Sequence, residues 1–153
     1  MHKIPNLFDL RDDANLALLI RQVREGLMHQ LERELTAIGV ELNYSQYLVL
    51  KLLAKYGPQM PGDLSRCLEH NAGAMTRLLD RLEDKGYVRR QPHAEDRRAL
   101  SIDLTEAGQA LWKTINSCSE RIQSTAVRDL ALPDREKLFD LLKRVRDTLE
   151  KSP

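Results

Sequence analysis

Cysteine, aromatic residues, long apolar runs and net charge are all scarce in this chain. Two cysteines, Cys67 and Cys118, are too few for a disulfide framework and accord with a reducing compartment. No apolar run approaches the ~20 residues that cross a bilayer. Met1 to Leu10 carries no apolar stretch of signal-peptide length. The expectation is a cytoplasmic chain with no membrane partner. A formal net charge of +1 argues against a uniformly basic nucleic-acid binder, for which a domain pI above ~9 is the usual footprint. Enzyme signatures are missing too. There is no Gly-x-Ser-x-Gly, no phosphate-cradling glycine loop and no paired-histidine zinc motif, so no catalytic residue and no cofactor is expected.

What is present is a chain of 153 residues, 42% hydrophobic and 31% charged, enough for one domain with a core or one subunit of an oligomer. Aromatics make up only 5%, which with the many leucines favours helices. Charge is uneven at short range. Lys85, Arg89, Arg90, Arg97 and Arg98 stand against Glu95 and Asp96, a local excess of +3 in a chain whose remainder sums to −2.

Apolar residues from Leu16 to Ile38 recur at three- and four-residue steps, predicting a helix from Asp13 to Ile38 that stops at Gly39. At 1.5 Å per residue it is about 39 Å long, and its stripe needs a partner. A second helix is expected over Ser45–Tyr56, with Ser45 as N-cap and Leu48, Val49, Leu52 and Leu53 inward, ended by Gly57-Pro58. A short third runs from Pro61 to Glu69. After a tight His70-Asn71 junction, Asn71 caps a fourth over Ala72–Lys85, closed by Gly86. The period then changes. Tyr87–Gln91 and Arg98–Leu104 read as a β-hairpin, with Leu100, Ile102 and Leu104 on one face and Ser101 and Asp103 on the other. Thr105 caps a fifth helix lined by Leu111, Ile115, Cys118 and Ile122. Pro133-Asp134 opens a sixth with Leu138, Leu141, Leu142, Val145 and Leu149 apolar.

Two short helices joined by a tight turn and followed by a basic hairpin make a winged helix-turn-helix pattern. On the fourth helix Met75, Leu78, Leu79 and Leu82 share one ~100° arc and face the core. Gly73, Thr76, Arg77, Asp80, Arg81 and Asp84 point outward. The outward N-terminal half opens with Ala72, Gly73 and Ala74, small enough for close backbone approach, then Thr76 and Arg77. That suits a helix entering the major groove of double-stranded DNA. An arginine at the hairpin tip can enter a narrow minor groove. Asp96 beside Arg98 is expected to hold that guanidinium in a fixed orientation.

The run Gly73-Ala74-Met75-Thr76-Arg77-Leu78-Leu79-Asp80-Arg81-Leu82-Glu83-Asp84-Lys85-Gly86-Tyr87-Val88, followed by Asp96-Arg97-Arg98 and Leu104-Thr105-Glu106-Ala107-Gly108, resembles the MarR/SlyA family. The resemblance extends over essentially the whole chain and is strongest from Leu64 to Gly108. Leu132-Pro133 matches the family's Leu-Thr opening of the last helix only at Leu. It implies a mainly α fold of six helices with a small β-hairpin wing, in which residues 45–104 form the winged helix-turn-helix lobe. Residues 13–39 and 105–150 would supply helices that intertwine in a homodimer. It further implies a bacterial transcription regulator, usually a repressor, that binds a pseudo-palindromic operator and is often tuned by small aromatic or phenolic anions. Ala72, Gly73, Ala74, Thr76, Arg77, Arg81, Arg97 and Arg98 would contact DNA, with Asp96 orienting the wing. The small-molecule ligand would lie between the dimerisation helices and the DNA-binding lobe, at residues the resemblance does not name.

Other features carry blander readings. Arg89 and Arg90 alternate in direction along a strand, so at most one faces DNA. Cys67 and His70 lie one helical turn apart, which supplies two metal ligands and no more. Cys118 lies on the apolar face of its helix and is expected to be buried. The alternatives are the same fold acting as a redox or metal sensor, and a helical dimer serving as an adaptor without DNA binding. Such an adaptor would have no need of the Arg77, Asp96 and Arg98 set.

Overall fold

Residues 15–96 and 98–151 are described by a computed structural model. The expectations that fall on Asp13 and Arg97 lie outside them. Helices α1 (Leu16–Ala37), α2 (Tyr44–Tyr56), α3 (Pro61–Cys67) and α4 (Ala72–Asp84) precede strands β1 (Val88–Pro92) and β2 (Leu100–Leu104). Helices α5 (Glu106–Ala126) and α6 (Leu132–Glu150) follow. The sequence therefore places each of these elements in order, and the differences lie at the ends.

Capping chemistry accounts for most of those ends. Helix α2 is capped by Asn43, not Ser45, and starts at Tyr44. Asn43 Oδ1 accepts the Gln46 backbone N–H at 2.9 Å while Gln46 Oε1 accepts that of Asn43 at 3.1 Å, a reciprocal box that satisfies two orphan donors. Ser45 is left inside the first turn and turns to His70 instead. Helix α3 closes at Cys67, short of Glu69, because Glu69 adopts φ 52° and His70 N–H folds back to the Ser65 carbonyl at 2.9 Å. Helix α6 begins one residue early, at Leu132, with Pro133 tolerated in its first turn. Asn15, Asn71 and Thr105 each accept a backbone N–H three residues on, capping α1, α4 and α5.

The hairpin is antiparallel, with Val88 opposite Leu104 and Pro92 opposite Leu100. Gln59 adds a one-residue bridge to Ile102, with backbone hydrogen bonds of 2.9 and 2.8 Å. β2 therefore lies between two neighbours, and Ser101 is buried, contrary to the expected alternation. Leu100 overhangs the core and is half exposed. β2 also starts later than the expected Arg98, because Arg98 and Ala99 belong to the turn.

One core joins the lobes. Leu31 and Leu35 of α1 pack with Val49, Leu50 and Leu53 of α2, Leu64 of α3, the four predicted residues of α4, Ile102 and Leu104 of β2, and Leu111, Ile115, Cys118 and Ile122 of α5. Within α2, Leu50 and Gln46 take the fully buried places, while the expected Leu48 and Leu52 are only half buried.

Two surfaces stay outside this core. The N-terminal half of α1 exposes Leu16, Leu19, Ile20 and Val23. Helix α6 buries no residue and exposes Leu138, Phe139, Leu141, Leu142 and Leu149. It packs substantially on no other described element. Arg135 ties its start to the turn that follows α5, donating to the Leu130 and Arg128 carbonyls at 2.9 Å each.

Candidate nucleic-acid interface

Helix α4 is set by its apolar arc. Met75, Leu78, Leu79 and Leu82 are buried, which leaves Ala72, Gly73, Thr76, Arg77, Asp80, Arg81 and Asp84 exposed and Ala74 half-buried. The outward face named from the sequence is therefore the outward face observed. Thr76 Oγ1 donates to the Ala72 carbonyl at 2.9 Å, leaving its lone pairs outward. The Arg77 guanidinium lies back along the helix, where a β-carbon added to Gly73 would sit 3.6 Å from Arg77 Nη1.

The two flanks of α4 differ in charge. Towards the wing, Arg90 of β1 donates to Asp80 Oδ1 at 2.6 Å and to Glu83. Partial burial opposes the Arg90 charge, but the hydrogen bonds to Asp80 and Glu83 outweigh it and hold the guanidinium above its ordinary value. This contact ties the first strand of the hairpin to α4. On the other flank, Arg77 and Arg81 have no carboxylate partner within ion-pair distance among the described residues. Arg89 is taken up across the hairpin by Asp103 at 3.3 Å. The local excess of +3 thus overstates the charge open to a partner, since Arg89 and Arg90 are both engaged within the fold.

At the wing tip, Asp96 holds the Arg98 backbone, not its guanidinium. Asp96 Oδ1 accepts the Arg98 N–H at 2.9 Å, and the Asp96 carbonyl accepts Ala99 N–H at 3.0 Å. The i to i+2 geometry of an Asx turn brings the carboxylate to the main chain. Asp96 therefore shapes the turn and leaves the exposed Arg98 side chain free of it. Further back, His93 N–H closes the hairpin on the Ala99 carbonyl at 2.8 Å.

The exit from the wing is tight. Thr105 Oγ1 donates to the Gly86 carbonyl at 2.5 Å and Thr105 N–H to that of Tyr87 at 3.1 Å. A β-carbon on Gly108 would lie 2.0 Å from the Tyr87 carbonyl oxygen. The Leu-Thr-x-x-Gly motif is the joint that fixes the hairpin on α5.

Among the described residues no cluster of metal-ligating side chains forms. His70 spends Nδ1 on the Leu68 carbonyl at 2.7 Å and Nε2 on Ser45 Oγ at 3.1 Å. Cys67 is exposed and Cys118 is buried, as its place on α5 suggested.

A cavity that the sequence did not reveal lies between α1, α2 and α5. It measures about 200 Å³ and is lined by Arg24, Tyr44, Tyr47 and Lys51 beside apolar Leu27 and Leu48. Arg24 Cζ stands 5.3 Å from the Tyr44 ring centroid and Lys51 Nζ 5.8 Å from that of Tyr47. Tyr47 in turn lies 5.9 Å from the Trp112 ring. The i, i+3 pair Tyr44 and Tyr47 beside Lys51 was the available signal in the sequence.

Two helices, a tight junction and a basic antiparallel hairpin docked on the second helix define a winged helix-turn-helix protein. A family model described as the MarR family matches residues 42–100. The HTH-type transcriptional regulator SarZ of Staphylococcus haemolyticus is 30% identical over 105 residues, 69% of this chain and 70% of that protein. TtmR of Methylorubrum extorquens, also an HTH-type transcriptional regulator, is 34% identical over 109 residues, 71% of this chain and 55% of that protein. The reduced form of MarR from E. coli superposes with a TM-score of 0.77 at 27% identity, covering 88% of this chain and 98% of that one. A cysteine-to-serine mutant of MarR from E. coli complexed with operator DNA gives a TM-score of 0.71 at 28% identity, covering 85% and 92%. The chain belongs to the MarR family of winged-helix transcriptional regulators.

Proposed function

We propose that the protein is a homodimeric repressor that reads a pseudo-palindromic operator and releases it on binding a small aromatic anion. The observation that carries DNA reading is the exposed flank of α4, where Arg77 and Arg81 stand without acidic partners among the described residues, beside a wing that presents Arg98. Ala72 and Gly73 open that helix with almost no side chain, so its first turn can approach base edges closely. Arg98, and Arg97 with it, would serve the minor groove or the backbone.

The dimer reading is supported by the apolar faces of α1 and α6. They are large, continuous along their helices and uncovered in one chain, which marks an interaction surface. Pairing them would set two copies of α4 to read half-sites about 34–36 Å apart.

The effector reading is supported by the cavity between α1, α2 and α5. Lys51, an Arg24 guanidinium that already pairs with Glu25 at 2.7 Å, two phenol rings and an apolar floor suit a single-ring anion. A volume of about 200 Å³ is below the ~300–1,000 Å³ of drug-sized sites. Its walls come from helices of both lobes, so occupancy can bias the position of α4, a coupling that typically amounts to about 1–3 kcal/mol.

Fluorescence anisotropy with duplex from the protein's own promoter region tests the first claim. Arg77→Ala should abolish discrimination against unrelated duplex with the oligomer intact, and Arg98→Ala should weaken binding without unfolding. Wild-type affinity and discrimination in Arg77→Ala at matched salt would return α4 to a solvated face and favour an adaptor. Salicylate-like anions, peroxide and zinc, added in parallel, separate an organic effector from redox or metal control.

A further inference from the structure

A second cavity, of about 180 Å³, lies on the opposite side of α2, against the outer flank of α4. Its polar lining is Asn43, Ser45, Gln46, His70, Arg77 and Arg81, with no carboxylate among the lining residues. Gln46 is 4% exposed. Its Oε1 is used by the Asn43 N–H, and its amide NH₂ has no protein acceptor among the described residues. Two guanidiniums with no carboxylate partner among the described residues thus converge with the Gln46 amide on one small space.

We infer that this cavity is a seat for a tetrahedral oxyanion, and that its working occupant is a phosphodiester of the DNA backbone. The inference rests on the reading of α4 as the helix that enters DNA. The steric argument is simple. A helix with side chains is about 10–12 Å across and the major groove is about 12 Å wide. A helix in the groove therefore presses its flanks against the two phosphate walls, and only its leading edge meets bases. At 100° per residue Arg81 lies farther round α4 than Arg77, towards the Leu78 edge, which places it on a flank. The opposite flank carries Asp80 and Glu83, which share the single Arg90 guanidinium and stay net negative. The cationic flank is the one beside the first turn of α2, where the Gln46 amide adds donors. His70, fixed between the Leu68 carbonyl and Ser45, holds the junction of α3 and α4 against that turn. A phosphate seated there would lock α2, the junction and α4 into one docking surface. Arg81 is then a positioning contact that carries no sequence information.

The test compares wild type with Arg81→Gln and Arg81→Lys, with folding verified by circular dichroism and urea midpoint. Arg81 is exposed, so both variants should fold. Affinity is measured over a salt series for promoter duplex and for unrelated duplex of the same length. Arg81→Gln should weaken both duplexes by the same factor and shrink the slope of log K against log salt by about 0.9 for each phosphate no longer neutralised. Arg81→Lys should keep the wild-type slope. In a separate arm without DNA, inorganic phosphate should shift the His70 ring resonance saturably in wild type and not in Arg81→Gln, the resonance being assigned by its loss in His70→Gln. An unchanged slope in Arg81→Gln, or a loss confined to the promoter duplex, overturns the phosphodiester assignment. Should the wild type bind no duplex at all, the DNA reading fails and the phosphate arm decides alone. A saturable shift lost in Arg81→Gln then keeps the seat for a free oxyanion, and no shift removes it.

Discussion

Single side chains do their work here through main-chain atoms as often as through charge. Gly108 leaves no room for even a methyl group against the Tyr87 carbonyl. Gly108→Ala should therefore cost about 1–3 kcal/mol or more, the range for forced overpacking, although alanine is the better helix former. A urea midpoint at or above wild type would show that the joint between wing and α5 yields. Asp96 teaches the same lesson. A carboxylate two residues before an arginine is visible in the sequence, but whether it meets the guanidinium or the backbone N–H is a matter of turn geometry. The backbone wins because an Asx turn orders few atoms, whereas an exposed ion pair is worth only ~0–1 kcal/mol. Arg90 was equally opaque. Strand alternation says that it and Arg89 point apart, and nothing local says that Asp80 and Glu83 wait on a helix ten and seven residues back.

Elements were more legible than contacts. The apolar arcs of α4 and α5 were readable because each covers its own core through a strict helical period, and the burial observed follows it residue by residue. Boundaries slipped where two capping residues compete, as Asn43 and Ser45 do, and where a bridge joins distant segments, as Gln59 does with Ile102. Pro58 and Pro61 bias that stretch to extended backbone, but nothing in it names the strand it meets. The opening turn of α4 offers a test in which stability and function move in opposite directions. A β-carbon on Gly73 would make only ordinary contacts, so Gly73→Ala should stabilise the fold, by up to about 1 kcal/mol from helix propensity. If the turn lies against base edges, the same methyl should weaken operator binding several-fold. A variant that gains stability and keeps full affinity would move the DNA contact away from this turn.

At the scale of the whole molecule, a single chain leaves two apolar helix faces open. The stripe that sequence periodicity assigned to the first helix is real, but within the chain Leu31 and Leu35 are buried, Leu27 is half covered, and Leu16, Leu19, Ile20, Val23 and Ile38 stay exposed. Periodicity reports that a face is apolar and is silent on what lies against it. Helix α6 is the extreme case, with a leucine-rich face and no buried residue. Leu141→Asp, at a position 43% exposed, should leave the fold of the lone chain undisturbed and convert a dimer to monomers in sedimentation velocity. Operator affinity should fall with it, since two half-sites would no longer be read together. A variant that stays dimeric would take α6 out of the interface.

The ring series from Tyr44 through Tyr47 to Trp112 has a practical corollary. Trp112 is the chain's single tryptophan, so its emission comes from one known place, one ring removed from the cavity between the lobes. A planar molecule entering beside Tyr47 should quench or shift that emission, giving a label-free optical readout of occupancy. Titrated in parallel with DNA release, the two curves should share a midpoint. An effector that frees DNA while the emission stays constant acts from somewhere else.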